Sequence, residues 1–142
     1  MLLLATVLAC GGRSTASQPH GDEHHAQLSP ELARFHDVLA PRWHAEAGPA
    51  RMKSTCDAIG DFRARADAIG KAVPPESTHA DTWTSKTRKL ADAVEGLAAT
   101  CAASDATGFD PAFARVHESF EALADSAQHD QHAEHDEHEG ER

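Results

Sequence analysis

The chain has 142 residues, 40% of them hydrophobic and only 5% aromatic, and its 23 acidic and 13 basic side chains give a formal net charge of −10. This length suffices for one domain with one modest core. The acidity argues against a nucleic-acid partner, because binding phosphates calls for a basic face.

The charge is unevenly spread. Residues 129–142 hold six acids and one arginine, and Asp22 and Glu23 add two acids near the other end. Fifteen acids face eleven Lys and Arg between Leu28 and Gln128, so the negative charge belongs largely to the two tails.

The chain opens with MLLLATVLAC, a run apolar except for one threonine that closes on a small residue before cysteine. An exported, cleaved leader ends in this way. Val7-Leu8-Ala9-Cys10 resembles the lipobox of bacterial lipoproteins. The resemblance implies cleavage before Cys10, a diacylglyceryl group on its sulfur and a further acyl chain such as palmitate, which together hold a membrane where one chain is marginal. It also implies export into a Gram-negative-type cell envelope, and Gly11 in place of an aspartate matches the lipoprotein pattern that permits passage to the outer membrane. The nine residues before Cys10 contain no Lys or Arg and make a short leader, which a true start codon further upstream would explain. The competing reading is the apolar N-terminus of a cytosolic protein. No other stretch approaches the roughly 20 apolar residues of a membrane-spanning helix.

Residues 10–27 are rich in Gly, Ser, Gln and His and cannot bury a core, so a flexible tether is expected. From Leu28 the pattern turns helical. Ser29 suits an N-cap and Pro30 a first turn, and Leu28, Leu32, Phe35, Leu39 and Trp43 form a stripe in a helix expected to reach about Ala45, with a kink or early stop at Pro41. Gly48-Pro49 starts a second helix with the stripe Met52, Cys56, Ile59, Phe62, Ala66, Ile69 and Val73, ending at Pro74-Pro75. Thr78 and Asp81 would form a capping box for a third helix that buries Trp83, Leu90, Val94, Leu97 and Cys101 and ends by Gly108. Asp110 and Pro111 would start the fourth, with Phe113, Val116, Phe120, Leu123 and Ala127 buried.

The expected fold is therefore all-α, an antiparallel up-down four-helix bundle over residues 28–128. It lies between a leader (1–9) with its tether (10–27) and an acidic, His-rich, disordered tail (129–142). With Cys10 lipidated, Cys56 and Cys101 remain as an even pair in an oxidising compartment, and the hairpin of the second and third helices brings them to one end. A disulfide is the expected reading, and two separate buried thiols the alternative.

Eleven histidines are the chemical signature of the chain. In the tail, His129, His132, His135 and His138 recur every three residues with carboxylates between them, and the tether repeats this chemistry with His20, His24 and His25. Imidazoles three apart are neighbours on a helix and can chelate one ion, while the acids concentrate cations. Such segments point to exchangeable divalent Zn, Ni, Cu or Co, ranked by the Irving–Williams order. The bland reading is a solvated polyanionic brush whose histidines only titrate.

Within the bundle, His36, His44 and His117, together with Met52 and Cys56, fall towards one pole. The first three would share a groove between the first and last helices, with Met52 as a soft ligand. His79 reads as a loop or cap residue. Glu118 and Glu121, one turn apart, read as solubility carboxylates.

The helices contain no Glu-x-x-His pair for a di-iron centre and the chain no Cys-x-x-Cys-His for covalent haem. Nucleophile-elbow, phosphate-loop and zincin patterns are missing as well, so the chain reads as a binding protein and not an enzyme. The body resembles periplasmic four-helix proteins such as cytochrome c′-like bundles in architecture only. The leading expectation is an envelope lipoprotein that buffers, scavenges or delivers divalent metal. The rivals are a helical module that docks an envelope protein partner and a bundle holding non-covalent b-type haem between two side chains.

Overall fold

In a computed structural model of the chain, residues 28–76 and 78–128 are described. The expectations placed on the leader, Cys10, His20, His24 and His25, and on His129, His132, His135 and His138, lie outside them. Among the described residues every regular element is helical: α1 (Pro30–Trp43), α2 (Pro49–Asp57), α3 (Ile59–Lys71), α4 (Ala80–Ala102) and α5 (Ala106–Gln128). None is long and apolar enough to cross a membrane.

Helix α1 starts as expected, with the Ser29 hydroxyl accepting from the Leu32 N–H at 3.4 Å. It stops at Trp43, two residues short of Ala45, and the His44 N–H closes on Ala40 O. Pro41 contributes no N–H to the last turn. The Arg42 guanidinium instead donates to Val38 O at 2.7 Å and reaches Ser54 O at 3.1 Å, tying the end of α1 to α2.

The single second helix expected from periodicity is two. At Ala58 the N–H turns to Thr55 O in place of the carbonyl four residues back, and the regular ladder resumes with Phe62 N–H on Ala58 O. Thr55, Ala58 and Ile59 are buried together across this break. Gly48, at φ 141°, supplies the turn that enters α2. Val73, placed on the buried stripe, is instead 89% exposed. Pro74 disfavours a helical residue before it, so α3 closes at Lys71 and Ala72 is extended.

The expected capping box at Thr78 does not form, because His79 occupies the N-cap position of α4 without a side-chain cap bond. Buried Thr78 donates its hydroxyl to Ser126 O at 2.9 Å, meeting a carbonyl that the last turn of α5 leaves without a helical partner. Helix α5 begins four residues before the expected cap at Asp110. Asp105 accepts from the N–H groups of Thr107 and Gly108 at 3.1 and 3.0 Å, and Pro111 lies inside the helix. Burial of Phe109, stacked on Phe113 one turn later with centroids 5.6 Å apart, favours the extra helical turn despite the proline.

The helices pack into one bundle core. α4 lies along α5 and α3, and α1 lies along α3 and more sparsely along α5. All five phenylalanines join one cluster: Phe35 stacks on Phe120 at 5.3 Å and meets Phe62 edge-on at 5.6 Å, and Phe62 leads through Phe113 to Phe109. Leu32, Leu39, Ile69, Leu90, Leu97 and Leu123 fill the space around it. Cys56 on α2 and Cys101 on α4 are joined by a disulfide with Cα atoms 5.5 Å apart.

Candidate functional site

Bulky rings keep α1 and α5 apart, and the gap is a groove of about 510 Å³. Phe35 against Phe120 and Trp43 against Phe113 set the register, so position falls along α5 as it rises along α1. Leu28 and Gln128 therefore lie at one end of the groove and Trp43, His44 and His117 at the other. Its floor is apolar, formed by Leu39, Ala40, Trp43, Phe120 and Ala124. His36, His44 and His117, the three bundle histidines expected to share a groove between the first and last helices, all line it.

These histidines sit in different surroundings. His117 lies flat on Trp43, with centroids 3.8 Å apart and planes 11° apart, and its Nε2 is 3.3 Å from Glu121 Oε1 one turn further along α5. Burial pushes the pKa of His117 below the ordinary value, and the nearby charge of His44 works in the same direction. Glu121 and Glu118 oppose it more weakly than burial drives it. The preferred form is the neutral imidazole, which is also the form that ligates metal. His36 is half-buried and tilted against Phe120 with centroids 5.8 Å apart, whereas His44 is exposed just after the last residue of α1.

Sharing a groove is not the same as converging on a point. Among the described residues, no group of three or more His, Cys, Asp or Glu side chains is arranged to hold a metal ion. Met52 packs against the core without lining the groove, and Cys56 is committed to Cys101, so the soft ligands near this pole do not join the histidines. His79 is exposed at the start of α4 and lines an adjoining surface hollow with Thr78, Lys86 and Asp125, the last of which also lines the groove.

Glu121 is the groove residue whose place the sequence did not indicate. In the sequence it reads, with Glu118, as a carboxylate serving solubility, yet it is in contact with His117 and lines the groove beside Asp125. The i,i+4 spacing of His117 and Glu121 was the available signal. Neither Lys nor Arg lines the groove, so its fixed charges are the carboxylates of Glu121 and Asp125.

Compared with known proteins, the chain matches no family model, no curated protein in sequence and no solved structure in fold.

Proposed function

We propose that the protein is a cell-envelope lipoprotein, anchored through Cys10, that binds divalent transition metal ions for buffering, scavenging or delivery. The ligands are His20, His24 and His25 of the tether and His129, His132, His135 and His138 of the tail, with intervening Asp and Glu attracting the cation. The body is read as an up-down four-helix bundle in which α2 and α3 form one limb, serving as a rigid base. The observation that carries this reading is that Leu28 and Gln128, where the two His-rich segments join the body, line the same groove as His36, His44 and His117. Both segments thus join the body at one end of a groove that carries His36 along its length and His44 and His117 at its far end. Proximity of this kind raises the effective concentration of ligands around an ion.

Isothermal titration of the mature chain with Zn, Ni, Cu and Co, with and without residues 129–142, tests the proposal. Micromolar binding that falls on tail removal, and falls again when His36, His44 and His117 are replaced by Gln, is the expected result. Tail-independent binding would move the site to the tether or the groove, and no binding would leave a docking module whose partner capture survives chelator. A Soret band in protein purified from its native host would identify a haem bundle instead.

A further inference from the structure

The groove between α1 and α5 has more apolar surface than an exchangeable metal site requires. Its floor is Leu39, Trp43, Phe120 and Ala124, and Glu121 and Asp125 stand on the α5 side. Both carboxylates are exposed, and among the described residues neither is paired with Lys or Arg. At about 510 Å³ the space falls within the range of pockets that take small organic molecules.

We propose that this groove binds a small organic cation, an ammonium carrying an aromatic or aliphatic body, with the body on the Trp43–Phe120 floor and the charge beside Glu121 and Asp125. The assignment follows from what each class of occupant would lose there. A bare metal ion would find imidazoles and carboxylates along the groove but, among the described residues, no three of them placed to hold it, and it would shed water against the apolar floor between them. An anion would meet two carboxylates, with Lys86 set in the adjoining hollow beyond Asp125 and its ammonium donating to Ala122 O. The protein's own C-terminal tail, with six acids, would be repelled by the same pair. An organic cation buries its body and keeps its charge near opposite charge, and the aromatic rings attract the ammonium further. The site is independent of metal binding by the tails.

The test is a titration of the mature, ¹⁵N-labelled chain in EDTA, which removes metal from the comparison. The probes are benzyltrimethylammonium, its uncharged isostere neopentylbenzene and the anion phenylacetate. Two indole N–H signals serve as reporters: Trp43 lines the groove, and buried Trp83 on α4 does not. The expected result is a shift of the Trp43 signal with Trp83 unmoved. The cation should bind about tenfold more tightly than phenylacetate, as attraction to one carboxylate and repulsion by it differ in sign. Glu121→Gln with Asp125→Asn should remove that preference and leave the melting temperature unchanged, and Asp125→Asn alone, which spares the His117 contact, should remove part of it. Equal or tighter binding of phenylacetate, retained preference in the double variant, a response confined to Trp83, or no response to the cation would each overturn the proposal. The loss of metal binding on removing residues 129–142, measured without EDTA, reads the tail ligands apart from the groove, so either result can fail alone.

Discussion

His117 on α5 lies flat against Trp43 in the last turn of α1, their ring centroids 3.8 Å apart. The stack covers one face of the imidazole and removes it from water, which is why burial outweighs the pull of Glu121 and Glu118 on its protonation. It also joins the two helices at the end of the groove farthest from Leu28 and Gln128.

This contact makes a pH-dependent contribution to stability. The native protein holds His117 neutral below the ordinary pKa of 6.5, whereas the unfolded chain takes up a proton there. Protons therefore favour unfolding: the contribution is complete above 6.5 and is lost as pH falls from 6.5 to the depressed native value. Urea midpoints measured from pH 7.5 to 5 should decline through that window more steeply in the parent than in His117→Phe, which keeps a ring on Trp43 and cannot titrate. Equal slopes would remove His117 as the source.

The Cys56–Cys101 disulfide fastens α2 to α4 across a sequence separation of 45. On the chain-entropy account, closing a loop of that length contributes about 4 kcal/mol. Helix α2 is nine residues long and its N-cap, Gly48, makes no side-chain cap bond, so it depends on this fastening more than the longer helices do. Cys56→Ser with Cys101→Ser should lower the denaturant midpoint by a corresponding amount, and hydrogen exchange should quicken first in α2. An unchanged midpoint would show that packing alone holds α2.

Asp105 caps α5 through two N–H groups, so Asp105→Ala should cost about 1 kcal/mol in chemical denaturation. Gly108→Ala should damage the same turn, because a Cβ there would overlap the Asp105 carboxylate. The pair of variants should be less than additive, since each removes the same cap. Asp110→Ala, by contrast, leaves the cap in place and removes the exposed carboxylate that pairs with the mostly buried Arg51 side chain, so its cost should add to that of Asp105→Ala.

Phe35 is fully buried between Phe120 and Phe62. Truncation to Ala should cost about 3–5 kcal/mol, a large share of the stability of a small domain. The same variant should loosen the groove, because Phe120 and His36 on its wall lose the ring that backs Phe120. Thermal melting and the ¹⁵N spectrum of Trp43 would report the two effects together, and a cost below about 1 kcal/mol would mean that the aromatic cluster repacks.

Much of the buried face could be read before any coordinates. Leu32, Phe35, Leu39, Ile59, Phe62, Ile69, Leu90, Val94, Leu97 and the α5 stripe from Phe113 to Ala127 recur at helical spacing, and each is buried. Helix boundaries were less legible where two local signals competed. Asp110-Pro111 carries the pattern of a helix start, but burial of Phe109 rewarded an earlier one. Thr78 carries the pattern of a cap, but a nearby α5 carbonyl claimed its hydroxyl.

By itself the sequence determined that the body is helical and which stripes face inward, because periodicity is a property of one chain read in order. Helix direction also led to a shared groove for His36, His44 and His117, although His36 lies against Phe120 partway along it and only His44 and His117 stand at the Trp43 end. Only the tertiary structure decided that α1 and α5 stand apart, that His117 stacks on Trp43, and that Glu121 and Asp125 are the groove's fixed charges. Those outcomes depend on the distance between helices, which side-chain volumes set jointly; a polar residue flanking an apolar stripe looks the same in sequence whether the next helix covers it or leaves it beside a groove.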